Sequence, residues 1–283
     1  MTEEMPYIPY GEEGEWKKRF EMTIPILLLI LVFVIVAWKM QWLAGIPFFG
    51  CLLGGGTTDI AIIGNDQNIV KTIDTVIKKD LPVNYMVFNK ADLDRVAYQT
   101  GGSEFEKYDM IILTEGQDGD TIALGQKTLE QLANFVNSGK SAIVIGLAGN
   151  KVESSNNQGS GWSVLGFVPA TCQSINCEVS AATFDRINMY PMDINNPILK
   201  EFPGGLNFSS GQITYTIVNA AEGATPILSM AISTGAEVPA YSGYAMIERS
   251  GSLGSSKVMY FAFQPSLYPT LLYNTIKNLK SCS

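Results

Sequence analysis

Apolar positions along the chain fall into two regimes. Between residues 23 and 38 the sequence TIPILLLILVFVIVAW runs for sixteen residues without a charge, and from 22 to 53 the only charged residue is Lys39. No polar face interrupts this run, so it lacks the one-sided stripe of a helix lying on a soluble core. From residue 57 onward, apolar runs of strand length alternate with segments of helical period. DIAIIGN (59–65) reads as a strand buried on both faces, closed by Gly and Asn. NIVKTIDTVIKKD (68–80) then places Ile69, Ile73, Val76 and Ile77 on one helical face. Further strands are expected at VNYMVF (83–88), YDMIILTEG (108–116) and SAIVIG (141–146). Between the last two, Ile122, Leu129, Leu132, Ala133 and Val136 recur at helical spacing, and Ser138-Gly139 closes the helix. Strands alternating with helices predict an α/β fold with a mostly parallel sheet flanked by helices.

The second half is less regular and richer in β character. After a polar loop at ESSNNQGSG (153–161) and the segment WSVLGF come INMYPM, QITYTIV, YAMIER and KVMYFAF, each with strand character. A last helix over 271–279 would pack back on the sheet.

The first regime has the length of a membrane span. A helix crosses the roughly 30 Å hydrocarbon core in about 20 residues, which residues 22–43 supply if Lys39 snorkels to the headgroups beside Trp38 and Trp42. Lys17, Lys18 and Arg19 precede the span and only Lys39 follows it, so the positive-inside rule puts the N-terminus in the cytoplasm and the remainder outside. A cleaved signal peptide is the alternative, but six of the first 21 residues are acidic and no small-residue cleavage site follows promptly. The expected organisation is a cytoplasmic tail (1–21), a transmembrane helix (22–43), a juxtamembrane linker (44–56) ending in LLGGG, and an extracytoplasmic domain (57–283). The expected location is thus a cell membrane, with the lipid bilayer as one partner. Cys51 follows PFFG, where Phe48 and Phe49 do not fit a lipidation site, so it reads as a membrane-proximal thiol.

Composition narrows the chemistry. The 283 residues contain no histidine, which excludes Ser/His/Asp and Cys/His nucleophilic sites, His-ligated metals and a histidine base. A net charge of -8 without a basic patch speaks against nucleic acid as a partner.

The succession YDMIIL, LEQLANFVNSGKSAIVIG, NPILKEFP, ATPILSM, SKVMYFAFQPS and LLYNTIKNL resembles the class I glutamine-amidotransferase-like fold, a flavodoxin-like architecture, in its ThuA-like and GldG-like branches. The resemblance spans roughly residues 57–280, and the order of the motifs carries it. It implies a nucleophilic Cys at a tight strand-to-helix elbow after the fourth strand, with a His and an acid later. Here the elbow reads GLAGN, so Leu147 and Ala148 stand where the nucleophile would be, and the base is absent. Degenerate members of that fold serve as binding or scaffolding domains in membrane machines, among them gliding-associated transport systems and a non-catalytic oligosaccharyltransferase subunit. The resemblance therefore implies a non-catalytic anchored subunit, partnered by other protein subunits and needing no cofactor.

Several residues are candidates for chemistry nonetheless. Asp66 in GNDQN and Glu115, Asp118 and Asp120 in TEGQDGD lie after strands, where α/β sheets gather ligands, and could hold Ca²⁺ or Mg²⁺ or do acid and base work on a glycan or small molecule. Equally, Asp66 and Asp120 read as helix N-caps and the Gly-Asp loops as turns. Cys172 and Cys177 in TCQSINC can close a small disulfide loop in an oxidising compartment, with a metal site as the alternative, leaving Cys51 and Cys282 over. Asn207-Phe208-Ser209 is a glycosylation sequon. The late aromatics, from Tyr241 to Tyr273, read as packing or as a contact for sugar or protein.

Overall fold

The computed structural model describes residues 24, 25, 27–29, 31, 32, 56–100, 103–115, 121–153, 160–172, 183–212, 215–233, 241–251 and 256–280. The chain divides into two units, Met1–Gly56 and Thr57–Ser283. In the first, the described residues between 24 and 32 are helical, and Leu27, Leu28, Leu29 and Leu31 are exposed. Among the described residues no helix is long and apolar enough to cross a membrane; most of the expected span at 22–43 lies outside them.

The second unit is a mixed α/β domain. Strand β1 (Thr58–Ile63) leads into helix α1, which starts at Gln67–Thr72, widens to a π-type turn at Ile73–Ile77 and ends at Lys78–Asp80. Strand β2 (Val83–Phe88), helix α2 (Lys90–Arg95), β3 (Met110–Leu113), α3 (Gln126–Asn137) and β4 (Ser141–Ile145) follow. Next come α4 (Gly161–Leu165), β5 (Ala170–Cys172), β6 (Thr183–Pro191), β7 (Leu206–Gln212) and β8 (Val218–Ala220). The chain then forms β9 (Thr225–Ser233), β10 (Tyr241–Ser250), β11 (Lys257–Phe261) and α5 (Pro269–Lys280).

Among the described residues nine strands form one sheet in the order β2-β1-β3-β4-β11-β10-β9-β6-β7. Strands β2, β1, β3, β4 and β11 pair in parallel, and from β11 outward every pairing is antiparallel. The expectation of a mostly parallel sheet thus holds for the first half, while the β-rich second half extends the same sheet. Strands β5 and β8 pair separately. The parallel half has the flavodoxin-like order 2-1-3-4-5, its fifth strand supplied by β11 near the end of the chain.

Burial explains the strand sequences. Strands β3 and β4 are buried at every position and β1 at all but Asp59, so nearly all their side chains are apolar. Helix α1 inserts Ile69, Ile73 and Ile77 into the core, all fully buried, and packs against α5. Helix α3 packs against α4 and the segment Val96–Thr100, burying Leu129, Leu132, Phe135 and Val136.

Two local expectations change, and one segment without a predicted element gains a helix. Ile122 precedes α3, whose N-cap is Gly125, so Ile122 does not belong to that helix. WSVLGF contributes the short helix α4. QITYTIV is not one strand: Gln212 ends β7, Tyr215 makes an isolated bridge to Phe263, and Val218 begins β8.

Candidate functional site

In open α/β sheets the crevice for ligands lies beyond the carboxyl ends of the strands, where the strand order reverses. Here that switch point lies between β1 and β3, and the residues immediately after β1, β3 and β4 build it. Gly64, at φ +136°, ends β1 so close to β3 that a Cβ there would stand 2.3 Å from the Thr114 carbonyl oxygen. The chain then turns into α1 through Asp66, whose Oδ1 accepts from the backbone N–H groups of Asn68 (2.8 Å) and Ile69 (3.3 Å). Asp66 is therefore the N-cap that the sequence allowed. Its other oxygen lies 3.3 Å from the Thr114 hydroxyl, which also lies 3.0 Å from the Glu115 carbonyl oxygen.

Glu115 turns inward. Its side chain reaches the elbow after β4, where the Leu147 N–H donates to its Oε1. Gly146, at φ +57°, makes room: a Cβ there would lie 2.3 Å from the carboxylate. Only glycine combines that backbone conformation with so close an approach. The residue is 3% exposed, and burial pushes its carboxyl up to about 7, against the opposing effects of the Leu147 amide and Lys151; Asp66 adds to the rise. Tyr260 of β11 is fully buried nearby, its phenol pushed up by burial and, to a smaller degree, by Glu115, while Thr216 works the other way.

The elbow itself is a chain of turns over residues 146–150, and the next helix begins only at Gly161. The expected strand-to-helix elbow is thus a strand-to-turn elbow. Its backbone is already committed: Ala148 N–H donates to Ile145 (3.1 Å), Asn150 N–H donates to Leu147 (2.9 Å), and the Ala148 carbonyl accepts from the Trp162 indole (2.9 Å). Ala148 is buried and Leu147 half-buried. An oxyanion site needs unspent N–H donors aimed at the reacting oxygen, and the Leu147 donor is spent on Glu115.

Of the four acidic candidates, Asp66 and Glu115 are thus brought to one crevice, while Asp118 and Asp120 lie outside the described residues. Among the described residues no three His, Cys, Asp or Glu side chains converge as a metal site would require. Cys172, at the end of β5, is not a free thiol; Cys177, its expected partner, lies outside the described residues, as do Cys51 and Cys282. Asn207 lies exposed on β7, which is one of the two edge strands of the sheet among the described residues.

Sequence reasoning missed Thr114, Gly146, Lys151 and Tyr260 as neighbours of the crevice. Thr114 and Gly146 flank motifs that were recognised, but Tyr260 sits more than a hundred residues away and only the pairing of β11 with β4 brings it in.

No family model matches the chain, and no curated protein matches it. Similar solved structures include a ThuA-like protein from Parabacteroides merdae, with 10% identity, TM-score 0.48 and coverage of 79% of this chain and 90% of that one. A ThuA-like protein from Bacteroides uniformis has 8% identity, TM-score 0.47 and coverage of 77% and 89%. The glutaminase domain of Trypanosoma brucei CTPS has 10% identity, TM-score 0.41 and coverage of 80% and 98%. These are distant likenesses of fold, and nothing about the site rests on them.

Proposed function

We propose that this chain is a non-catalytic, single-pass membrane-anchored subunit whose extracytoplasmic domain, a degenerate glutamine-amidotransferase-like fold, holds other subunits of a membrane or cell-surface complex. The observation that carries this reading is the elbow. Hydrocarbon side chains stand at Leu147 and Ala148, and the Leu147 N–H is satisfied by the protein's own Glu115 carboxylate. With no histidine in the chain, the positions for nucleophile and base are both empty of suitable chemistry. The anchor is supported by the uncharged run at 23–38 and by the exposed leucines of its described helical residues, which water would solvate at a cost of about 25 cal/mol per Å² of apolar surface.

A second reading, an enzyme or receptor acting on a glycan or small molecule through carboxylates, is favoured by one observation: Glu115 sits beside Asp66 with its carboxyl pushed into the neutral range. The conservative substitution Glu115→Gln separates the two, because the amide oxygen still accepts from Leu147 but cannot exchange protons as a carboxyl does. A subunit carrying E115Q is expected to restore the phenotype of a deletion strain and to retain its partners. Failure to restore, with folding and partners intact, would establish carboxyl chemistry instead.

A further inference from the structure

The sequence contains a single Asn-X-Ser/Thr triplet, Asn207-Phe208-Ser209, and the fold sets it in strand β7 at the outer margin of the nine-stranded sheet. Alternate residues of a strand face opposite sides, and the triplet uses this. Asn207 and Ser209 are both exposed. Phe208, between them, turns inward against the rings of Tyr268 (5.3 Å between centroids) and Phe263 (6.0 Å). The strand is therefore held from its apolar side, and the Asn207 carbonyl is held by the Tyr268 hydroxyl at 3.1 Å, while the amide group of Asn207 is left at the surface.

A second feature of the same strand bears on what a substituent there would do. Natural sheets protect their outer strands with charges, proline or a covering element. The sequence of β7, LNFSSGQ, contains neither a charged residue nor a proline. A large hydrophilic group on its exposed side chains would supply protection that neither charge nor proline gives this strand.

We propose that Asn207 carries an N-linked oligosaccharide that shields the outer margin of the sheet at β7. The inference rests on the reading that the domain faces outward. In the transfer, the side-chain nitrogen of Asn207 forms a bond to the anomeric carbon of an oligosaccharide activated on a polyprenyl diphosphate. The anomeric carbon–oxygen bond to that carrier breaks, the diphosphate departs with the bonding electrons, and the amide proton passes to the transferase. Ser209 supplies the hydroxyl that completes the acceptor. Transfer to a chain not yet folded requires only that the folded product accommodate the sugar, and the exposed side chain on an outermost strand does so.

The test is mass spectrometry of the peptide spanning 206–212 from the full-length chain purified from its native membranes, combined with protease digestion of intact cells. The expected result is a domain cleaved from outside and a peptide whose mass is raised by an oligosaccharide at Asn207. The added mass should vanish in both Asn207→Gln and Ser209→Ala and persist in Ser209→Thr, so that misfolding of one variant does not decide the matter. An accessible domain with an unmodified Asn207 overturns the proposal and leaves the outward orientation standing. A domain protected from external protease overturns the orientation and the proposal with it.

Discussion

Glu115 sets the chemistry of the crevice, because its burial opposes the charge expected of an acid after a strand. Desolvation dominates the shift, so the folded state holds the proton to about pH 7 where the unfolded chain releases it near the ordinary value of 4.5. Between those values the folded state binds more protons, and the contribution of this group to stability falls as pH rises. It is fully present below the unfolded value and lost through the folded one. At about 1.4 kcal/mol per unit the change across the window is on the order of 3 kcal/mol. Glu115→Gln removes it, so the stability of the variant relative to the wild type is expected to rise between pH 5 and pH 8 in denaturant titrations. Parallel pH profiles for the two proteins would show that Glu115 ionises freely. Sequence alone identified Glu115 as an acid after a strand; its inward turn depends on Gly146 at φ +57° and on the Leu147 amide, neither of which a string of residues reveals.

Elements of the parallel half were legible because local and tertiary demands agree there. VNYMVF coincides with β2, SAIVI is β4, and the spacing of Ile69, Ile73 and Ile77 matches the buried face of α1. The capping role of Asp66 was legible for the same reason, since an acid two residues after a strand-ending glycine and just before a helical pattern has a local partner in the helix N–H groups. Asp66→Ala removes acceptors for Asn68, Ile69 and Thr114, and an N-cap of this kind contributes about 1–2 kcal/mol. The expected outcome is a destabilisation of that size in urea, with Asp66→Asn recovering most of it. An unchanged midpoint for the alanine variant would contradict the capping assignment. Where the demands diverge the pattern misled: QITYTIV has strand propensity throughout, yet Tyr215 leaves the ladder to meet Phe263 and Val218 joins a different sheet. Propensity describes a residue's fit to a pleated surface and does not specify which surface.

At the scale of the molecule, the sheet gains its fifth parallel strand from β11 and four antiparallel strands from residues 183–250. Alternation of strands and helices announced an α/β domain, but the pairing of Val258 with Ala142 joins positions too far apart for any periodicity to connect. The assembly of the crevice is long-range in the same way, since β11 delivers Tyr260 beside the carboxyl that follows β3 and the elbow that follows β4. With the Leu147 donor spent on Glu115 and an uncharged apolar run preceding the domain, the proposal is that the domain acts through its surface. The most direct measurement of that claim is the mass of the native complex after extraction of its membranes in several mild detergents. Other subunits in fixed stoichiometry with this chain are expected, and recovery of the chain alone as a monomer in every detergent would overturn the proposal.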